Sequence, residues 1–161
     1  MQRTLPHKVK EVCAIKLARL GSVMIRPATV DDLGAVLELW AEAAENENRP
    51  ADTHAALAAL HLRDPGALLL AVDGNEIVGS VIAGWDGWRC HLYRLAVAPS
   101  RRRQGIGRRL IEAAEERFRA LGGTRADAMV LDNNTGAHGA WSAAGYRRQA
   151  EWSRWVKPLL R

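Results

Sequence analysis

Two glycines two residues apart, preceded by a run of arginines, form the part of this sequence best suited to binding a phosphorylated ligand. Residues 95–110 read LAVAPSRRRQGIGRRL, so an apolar, strand-like run ends at Pro99 and a basic loop follows. Gly105 and Gly107 then open a segment with helical periodicity. N–H groups at a helix start lack partners, the helix dipole adds partial positive charge, and glycine lets a ligand approach the backbone. The pattern predicts an anion-binding loop, with positive charge from Arg101, Arg102, Arg103, Arg108 and Arg109.

Most other readings of this loop are excluded by its spacing. No glycine follows Gly107 at the third position, which excludes the dinucleotide-binding fingerprint, and Gly-Lys-Ser/Thr is absent, which excludes a Walker loop. An ordinary strand, turn and helix with solvated arginines remains the alternative. The remaining pattern, Arg102-x-x-Gly105-x-Gly107, resembles the Gln/Arg-x-x-Gly-x-Gly/Ala loop of the GNAT superfamily, the acyl-CoA-dependent N-acetyltransferases.

The resemblance implies a function for each part of this segment. In the family, this loop holds the pyrophosphate of coenzyme A, and the preceding strand pairs with the pantetheine arm. Acetyl-CoA is then the co-substrate, and no metal is implied. The residues that the resemblance assigns to acetyl-CoA are Leu95, Ala96, Val97, Arg102, Arg103, Gln104, Gly105, Ile106, Gly107, Arg108, Asn134 and Trp141.

A second stretch, residues 134–146, resembles a later motif of the same family. It has an Asn, an Ala three residues on, an aromatic four further, and then Gly and an aromatic. The alternative is a core helix that Asn134 caps and Gly145 ends. Family members often carry Tyr at the position of Trp141, where its hydroxyl can protonate the departing sulfur. An indole N–H donates a hydrogen bond but is no acid near neutral pH, so that role is not carried over. Weaker substitutes are Tyr146, Ser142 and His138.

The strand before the loop carries the candidate catalytic groups. Strict alternation would place His91, Tyr93 and Leu95 on one face and Leu92, Arg94 and Ala96 on the other. Many family members carry Glu where His91 stands, and an imidazole accepts a proton near neutral pH. We therefore predict His91 as the base, with Tyr93 the weaker candidate; the alternative is that His91 is a hydrogen-bonded packing residue. The resemblance also implies that the backbone N–H of Val97 or Ala96 polarises the thioester carbonyl.

Tryptophans near this strand allow two interpretations. Trp85 and Trp88 flank a turn before it, and Trp40 lies on the first predicted helix. They could line an acceptor pocket and hold a cation, or they could serve as core and rim packing.

Hydrophobic periodicity and turn signals predict the element order β-α-α-β-β-β-α-β-α-β. This is an α/β (α+β) chain whose order is that of the GNAT fold, a mixed central sheet of about six to seven strands flanked by about four helices. Residues 1–23 are predicted to be a peripheral N-terminal extension and residues 24–161 the N-acetyltransferase domain. The last predicted strand is 153–157, and 125–131 is another.

Composition narrows the function classes. With 161 residues, 48% of them hydrophobic and 25% charged, the chain has the make-up of one soluble globular domain. A net charge of +5 suits an anionic cofactor but does not point to nucleic acid. No apolar run is long enough to cross a membrane. Cys13 and Cys90 form no metal or disulfide spacing, which indicates reduced thiols in a cytoplasmic protein.

These observations predict an N-acetyltransferase that moves an acetyl group from acetyl-CoA to a primary amine, on a small molecule or a protein, by direct attack in a ternary complex. A homodimer through an edge or C-terminal strand is compatible with the pattern. The alternatives are an acyl-CoA-binding or sensing module with little catalysis and, more weakly, an unrelated nucleotide-binding domain.

Overall fold

A sheet of five strands in sequence order is the centre of the structure, a computed structural model that describes residues 22–43 and 51–159. Neighbouring strands are antiparallel, except that the last two are parallel. The strands are β1 Val23–Pro27, β2 Leu68–Asp73, β3 Glu76–Trp85, β4 Cys90–Val97 and β5 Ala126–Ala128. The helices are α1 Leu33–Glu42, α2 His54–Arg63, α3 Ile106–Ala120 and α4 Thr135–Ala143. The described residues fall into two compact units, one within Met1–Met129 and one within Val130–Arg161.

Helices cover both faces of the sheet in the first unit. Apolar side chains of α1 and α2 form one core with alternate residues of β2, among them Leu68 and Leu70. The intervening residues point to the other face, where α3 packs on the sheet. A Cβ on Gly79 of β3 would lie 3.1 Å from Ile106 Cγ2 and from Leu110 Cδ1, so this glycine lets the first turn of α3 lie close to the sheet. The start of α3 is thereby fixed beside the end of β4.

Short turns and caps join the elements around the sheet. Asp73 pairs with Glu76 across a two-residue turn in which Gly74 has a φ of 61°. The Thr53 side chain caps α2 by accepting a hydrogen bond of 3.1 Å from the N–H of Ala56. After α3, Gly122 has a φ of 88°, and the N–H of Gly123 donates to the Phe118 carbonyl at 2.8 Å.

The entry into α1 is held by an ion pair between β1 and the helix start. Arg26 donates to both oxygens of Asp32, at 2.6 and 2.9 Å, and the backbone N–H of Thr29 donates to the same carboxylate at 2.7 Å. The Arg26 guanidinium, with smaller help from Thr29, holds the pKa of Asp32 well below its usual value.

We expect Asp32→Asn to lower the free energy of unfolding by about 1–2 kcal/mol at pH 7, since bonds to a charged group are lost. Because the pKa of Asp32 is lower in the folded chain, its stabilisation is present above the unfolded pKa of about 3.9 and is lost as pH falls below it. Urea unfolding at pH 7 and pH 3 checks this. The difference in free energy of unfolding between Asp32→Asn and wild type should be smaller at pH 3 than at pH 7. An equal difference at both pH values would contradict the stabilising role of the ionised Asp32.

Several predicted boundaries differ from the structure. The described part of the chain contains a sheet of five strands, fewer than the six to seven predicted. The strand predicted at 153–157 is wrong: this segment is irregular, and Trp155 and Val156 are exposed. Its β-branched and aromatic residues favour a strand only where a neighbouring strand pairs with them. The strand predicted at 125–131 contracts to β5, Ala126–Ala128.

Parts of the sequence predictions lie outside the described residues. The predicted extension is described only at Ser22 and Val23, and Val23 is already the first residue of β1. Cys13 also lies outside the description, whereas Cys90 is a free, buried cysteine whose pKa is raised by burial. Within 22–43 and 51–159, no helix has the length and apolar character to cross a membrane.

Candidate functional site

The loop between β4 and α3 turns sharply and ends at an open helix start. Arg103 has a φ of 61° and Gly105, the N-cap residue, a φ of 77°. The first hydrogen bond of the helix runs from the N–H of Arg109 to the carbonyl of Gly105, at 3.1 Å. Among the described residues, none accepts a hydrogen bond from the N–H groups of Ile106, Gly107 or Arg108. These donors lie at the positive end of the helix dipole, a ready site for an anion.

The arginines around this loop divide into two groups. Arg101 forms an ion pair with Asp73 at the β2–β3 turn, and Arg109 donates to the carbonyl of Val23 at 3.1 and 3.2 Å. Both therefore serve the fold. The cationic side chains exposed at the loop are Arg102, Arg103 and Arg108, together with the amide of Gln104. Ile106 is buried, so its side chain serves the core and is not offered to a ligand.

The fold requires the two loop glycines to different degrees. Gly105 needs its left-handed backbone, whereas Gly107 does not: a Cβ there would meet only Val97 Cγ2, at 3.7 Å. An alanine would also suit a helix better than glycine does. Gly107 is thus a glycine that the chain's own packing leaves unexplained, as expected where a ligand approaches the backbone.

A β-bulge interrupts β4, so its side chains do not alternate between the two faces of the sheet along the whole strand, as the sequence analysis predicted. Ser80 pairs with Ala96 and Ile82 pairs with Tyr93, so two residues of β4 lie opposite one of β3. From Ala96 onward, the extra residue reverses the face of the sheet to which each side chain points. Tyr93, His91 and Ala96 therefore share one face. The prediction that Leu95 shares the face of His91 and that Ala96 lies opposite is wrong, because strict alternation does not survive a bulge.

β4 and β5 pair only at one end. Cys90, His91 and Leu92 pair with Ala126–Ala128. Beyond Leu92, the structure records no strand on this edge of β4 in the described residues. Leu95, Ala96 and Val97 thus lie on a strand edge that an extended ligand can join through backbone hydrogen bonds. The edge leads directly to the glycine loop, where Arg102 Nε donates to the carbonyl of Val97 at 3.3 Å.

His91 lies beside a carboxylate that sequence reasoning missed. Its Nδ1 is in hydrogen-bond contact with Asp127 Oδ1, and both side chains are partly exposed. A carboxylate on Nδ1 holds the neutral ring in the tautomer with a free Nε2. The Tyr93 ring lies 5.5 Å from the His91 ring, and burial is the main cause that raises the pKa of Tyr93. No local signal in the sequence points to Asp127, because the parallel pairing of β4 with β5 is what brings it to His91.

Two predicted cofactor residues belong to the second unit. The side chain of Asn134 accepts a hydrogen bond of 3.0 Å from the N–H of Ala137, which is the capping role weighed as the alternative. Trp141 packs edge-on with Tyr146, with ring centroids 4.9 Å apart. The α4 helix ends at Ala143, and Gly145, two residues further on, has a φ of 88°. His138 Nε2 lies 2.8 Å from the carbonyl oxygen of Leu131, so this ring is in hydrogen-bond contact with a residue of the same unit.

Among the tryptophans, Trp40 is buried and Trp88 is 81% exposed. The interpretation of Trp40 as packing is therefore confirmed. The Arg89 guanidinium lies 5.5 Å from the Trp88 ring centroid, in cation–π contact.

Comparison with known proteins matches this chain to acetyltransferases. A model of the acetyltransferase (GNAT) family matches residues 33–146. An acetyltransferase of Pectobacterium atrosepticum is 34% identical over 122 residues, which is 76% of this chain and 86% of that protein. The structure of yncA from Salmonella typhimurium, with its cofactor acetyl-CoA, superposes with a TM-score of 0.68 at 22% identity over 81% of this chain and 82% of that one. An aminoglycoside acetyltransferase from an uncultured soil metagenomic sample, in complex with sisomicin, gives a TM-score of 0.68 at 19% identity over 86% and 97% of the two chains.

Proposed function

Since the chain belongs to the acetyltransferase (GNAT) family, we propose that it transfers an acetyl group from acetyl-CoA to a primary amine by direct attack in a ternary complex. The observation that carries the proposal is the glycine loop. It combines donor N–H groups at Ile106–Arg108, exposed arginines and a glycine at 107 that packing does not require. These are the properties that a diphosphate needs.

The residues of the loop and of β4 fit coenzyme A. Gln104 to Gly107 would hold the diphosphate through their backbone, and Arg102, Arg103 and Arg108 would supply positive charge. The open edge at Leu95, Ala96 and Val97 would pair with the amides of the pantetheine arm. In the second unit, Asn134 and Trp141 remain proposed cofactor contacts. Bound in this way, acetyl-CoA supplies an activated thioester.

The backbone of β4 and the His91–Asp127 pair would carry the chemistry. The N–H of Val97 or Ala96 would donate to the carbonyl oxygen of the thioester, where negative charge develops. His91 would accept the proton of the attacking amine at Nε2, directly or through water, while Asp127 positions the ring. Tyr93 is better suited to donate a hydrogen bond than to act as a base, because burial raises its pKa and keeps the phenol protonated.

The leaving thiolate does not need an acid at Trp141. A thiol has a reference pKa of about 8.5, so its thiolate is a tolerable leaving group. The indole of Trp141 is nevertheless the feature that favours the second candidate function, an acyl-CoA-binding or sensing module with little catalysis.

Steady-state thiol release from acetyl-CoA over a panel of amines separates the two functions. The panel should include aminoglycosides, polyamines, amino acids and peptide amines. We expect repeated turnover with at least one acceptor, and stabilisation of the protein by coenzyme A but not by ATP or NAD. Binding of acetyl-CoA without turnover on the whole panel would favour the acyl-CoA-binding or sensing module. Stabilisation by ATP or NAD alone would contradict both candidate functions.

A further inference from the structure

The bulge of β4 is built around a residue in an unfavourable backbone conformation. Arg94 has a φ of 52°, and it and Arg103 are the non-glycine residues with positive φ in the described part of the chain. Side chains other than glycine rarely adopt this region unless the surrounding structure imposes it. Arg94 directly precedes Leu95, so its backbone sets the direction of the strand edge that follows.

The side chain of Arg94 is anchored to the segment that leads into α2. Arg94 Nη2 and Nε lie 2.6 and 2.7 Å from Asp52 Oδ1, and both side chains are largely withdrawn from water, at 22% and 16% exposure. The guanidinium also lies over the Trp40 ring, 5.6 Å from its centroid. Asp52 immediately precedes Thr53, the cap of α2, and is thus fixed to a helix start.

The backbone of Arg94 is anchored separately. Ser80, a fully buried polar residue of β3, accepts a hydrogen bond of 2.8 Å from Trp40 Nε1. Its hydroxyl in turn donates to the carbonyl of Arg94 at 3.3 Å. Both ends of Arg94 are therefore tied to elements on the α1 and α2 side of the sheet.

We propose that Asp52 and Arg94 form a positioning latch for acetyl transfer. The latch holds Arg94 in its left-handed conformation and so aims the backbone N–H of Val97 at the thioester, since this N–H points away from β3, to the open edge. This inference rests on the proposed function, because the N–H that it positions is one assigned there to the thioester carbonyl. Neither Asp52 nor Arg94 touches the reacting atoms; both act through the backbone of the bulge.

The test compares Asp52→Asn with Asp32→Asn, the same change in another Arg–Asp pair of the first unit. We expect Asp52→Asn to lower kcat by roughly 10- to 100-fold, the scale of small misplacements at a reacting centre. The KM for acetyl-CoA should rise by a smaller factor than kcat falls, because the glycine loop proposed to hold the diphosphate is untouched. Asp32→Asn should lower stability and leave kcat unchanged. A kcat for Asp52→Asn within about twofold of wild type would overturn the latch.

Arg94→Gly provides a second variant that the backbone tolerates, since glycine adopts a φ of 52° without strain. A purely structural role predicts a variant that loses stability, because Asp52 loses its guanidinium partner, but keeps full activity. The latch predicts that the kcat of the folded variant also falls as in Asp52→Asn, and a normal kcat here would contradict it.

Hydrogen–deuterium exchange of the whole protein separates the latch from the proposed function. In Asp52→Asn, we expect peptides covering 93–98 to exchange about tenfold faster than in wild type, with α3 unchanged. Unchanged exchange at 93–98 would overturn the latch even if acetyl-CoA binds. Conversely, if Asp52→Asn exchanges faster at 93–98 but the wild-type protein does not bind acetyl-CoA, the Asp52–Arg94 contact holds the bulge and the proposed function is refuted.

Discussion

Replacing Gly107 with glutamate is expected to weaken coenzyme A binding by about 100-fold or more while leaving the fold intact. Gly107 is the second residue of α3, and its Cβ would meet only Val97 Cγ2 at 3.7 Å. A glutamate there favours the helix, by about 0.5–1 kcal/mol from propensity and the helix dipole. The same carboxylate would occupy the place proposed for the diphosphate, and like charges in such a position cost several kcal/mol.

Isothermal titration with coenzyme A and thermal unfolding together check this prediction. Gly34→Glu is the matched control, because Gly34 is the second residue of α1 and a Cβ there meets nothing within 4 Å. We expect both variants to unfold within a few degrees of wild type, and only Gly107→Glu to lose affinity. A Gly107→Glu protein that binds coenzyme A as wild type does would show that the diphosphate is held elsewhere.

Replacing His91 with glutamine is expected to lower kcat by roughly 10²–10⁴-fold, the usual contribution of a positioned base. The pH–rate profile should differ from that of wild type, since glutamine at this position cannot accept the proton. Asp127→Asn should lower kcat less, because the ring remains and only its orientation is disturbed. Binding of coenzyme A should be unchanged in both variants.

His54→Gln serves as the control, because His54 is an exposed histidine at the start of α2. It should leave both kcat and the pH–rate profile unchanged. If His91→Gln kept the wild-type profile, the base would have to be another group, and the contact with Asp127 would be one of packing.

The features that could be predicted from the sequence depend on residues close to one another in the chain. Gly105, Pro99 and the periodicity of α3 define the strand, loop and helix within a few residues of one another. Thr53 caps α2 as its residue type and position indicate. The family resemblance then supplied the ligand that such a loop would hold. For this reason, the fold class and the element order up to α4 were predictable.

The features that escaped prediction depend on residues distant in sequence. The bulge at Arg94 arises from the register between β3 and β4, which strict alternation along one strand cannot report. Asp127 reaches His91, and Asp52 reaches Arg94, only once the sheet and its helices are assembled. The strand predicted at 153–157 failed for the same reason, since a strand requires a partner that its own residues do not specify.

The most direct test of the account follows the backbone amides of the glycine loop by NMR as coenzyme A or pantetheine is added. If these amides bind the diphosphate, the N–H resonances of Gly105, Ile106 and Gly107 shift strongly with coenzyme A and hardly at all with pantetheine. Coenzyme A that binds the protein and leaves these resonances unmoved would contradict the central claim.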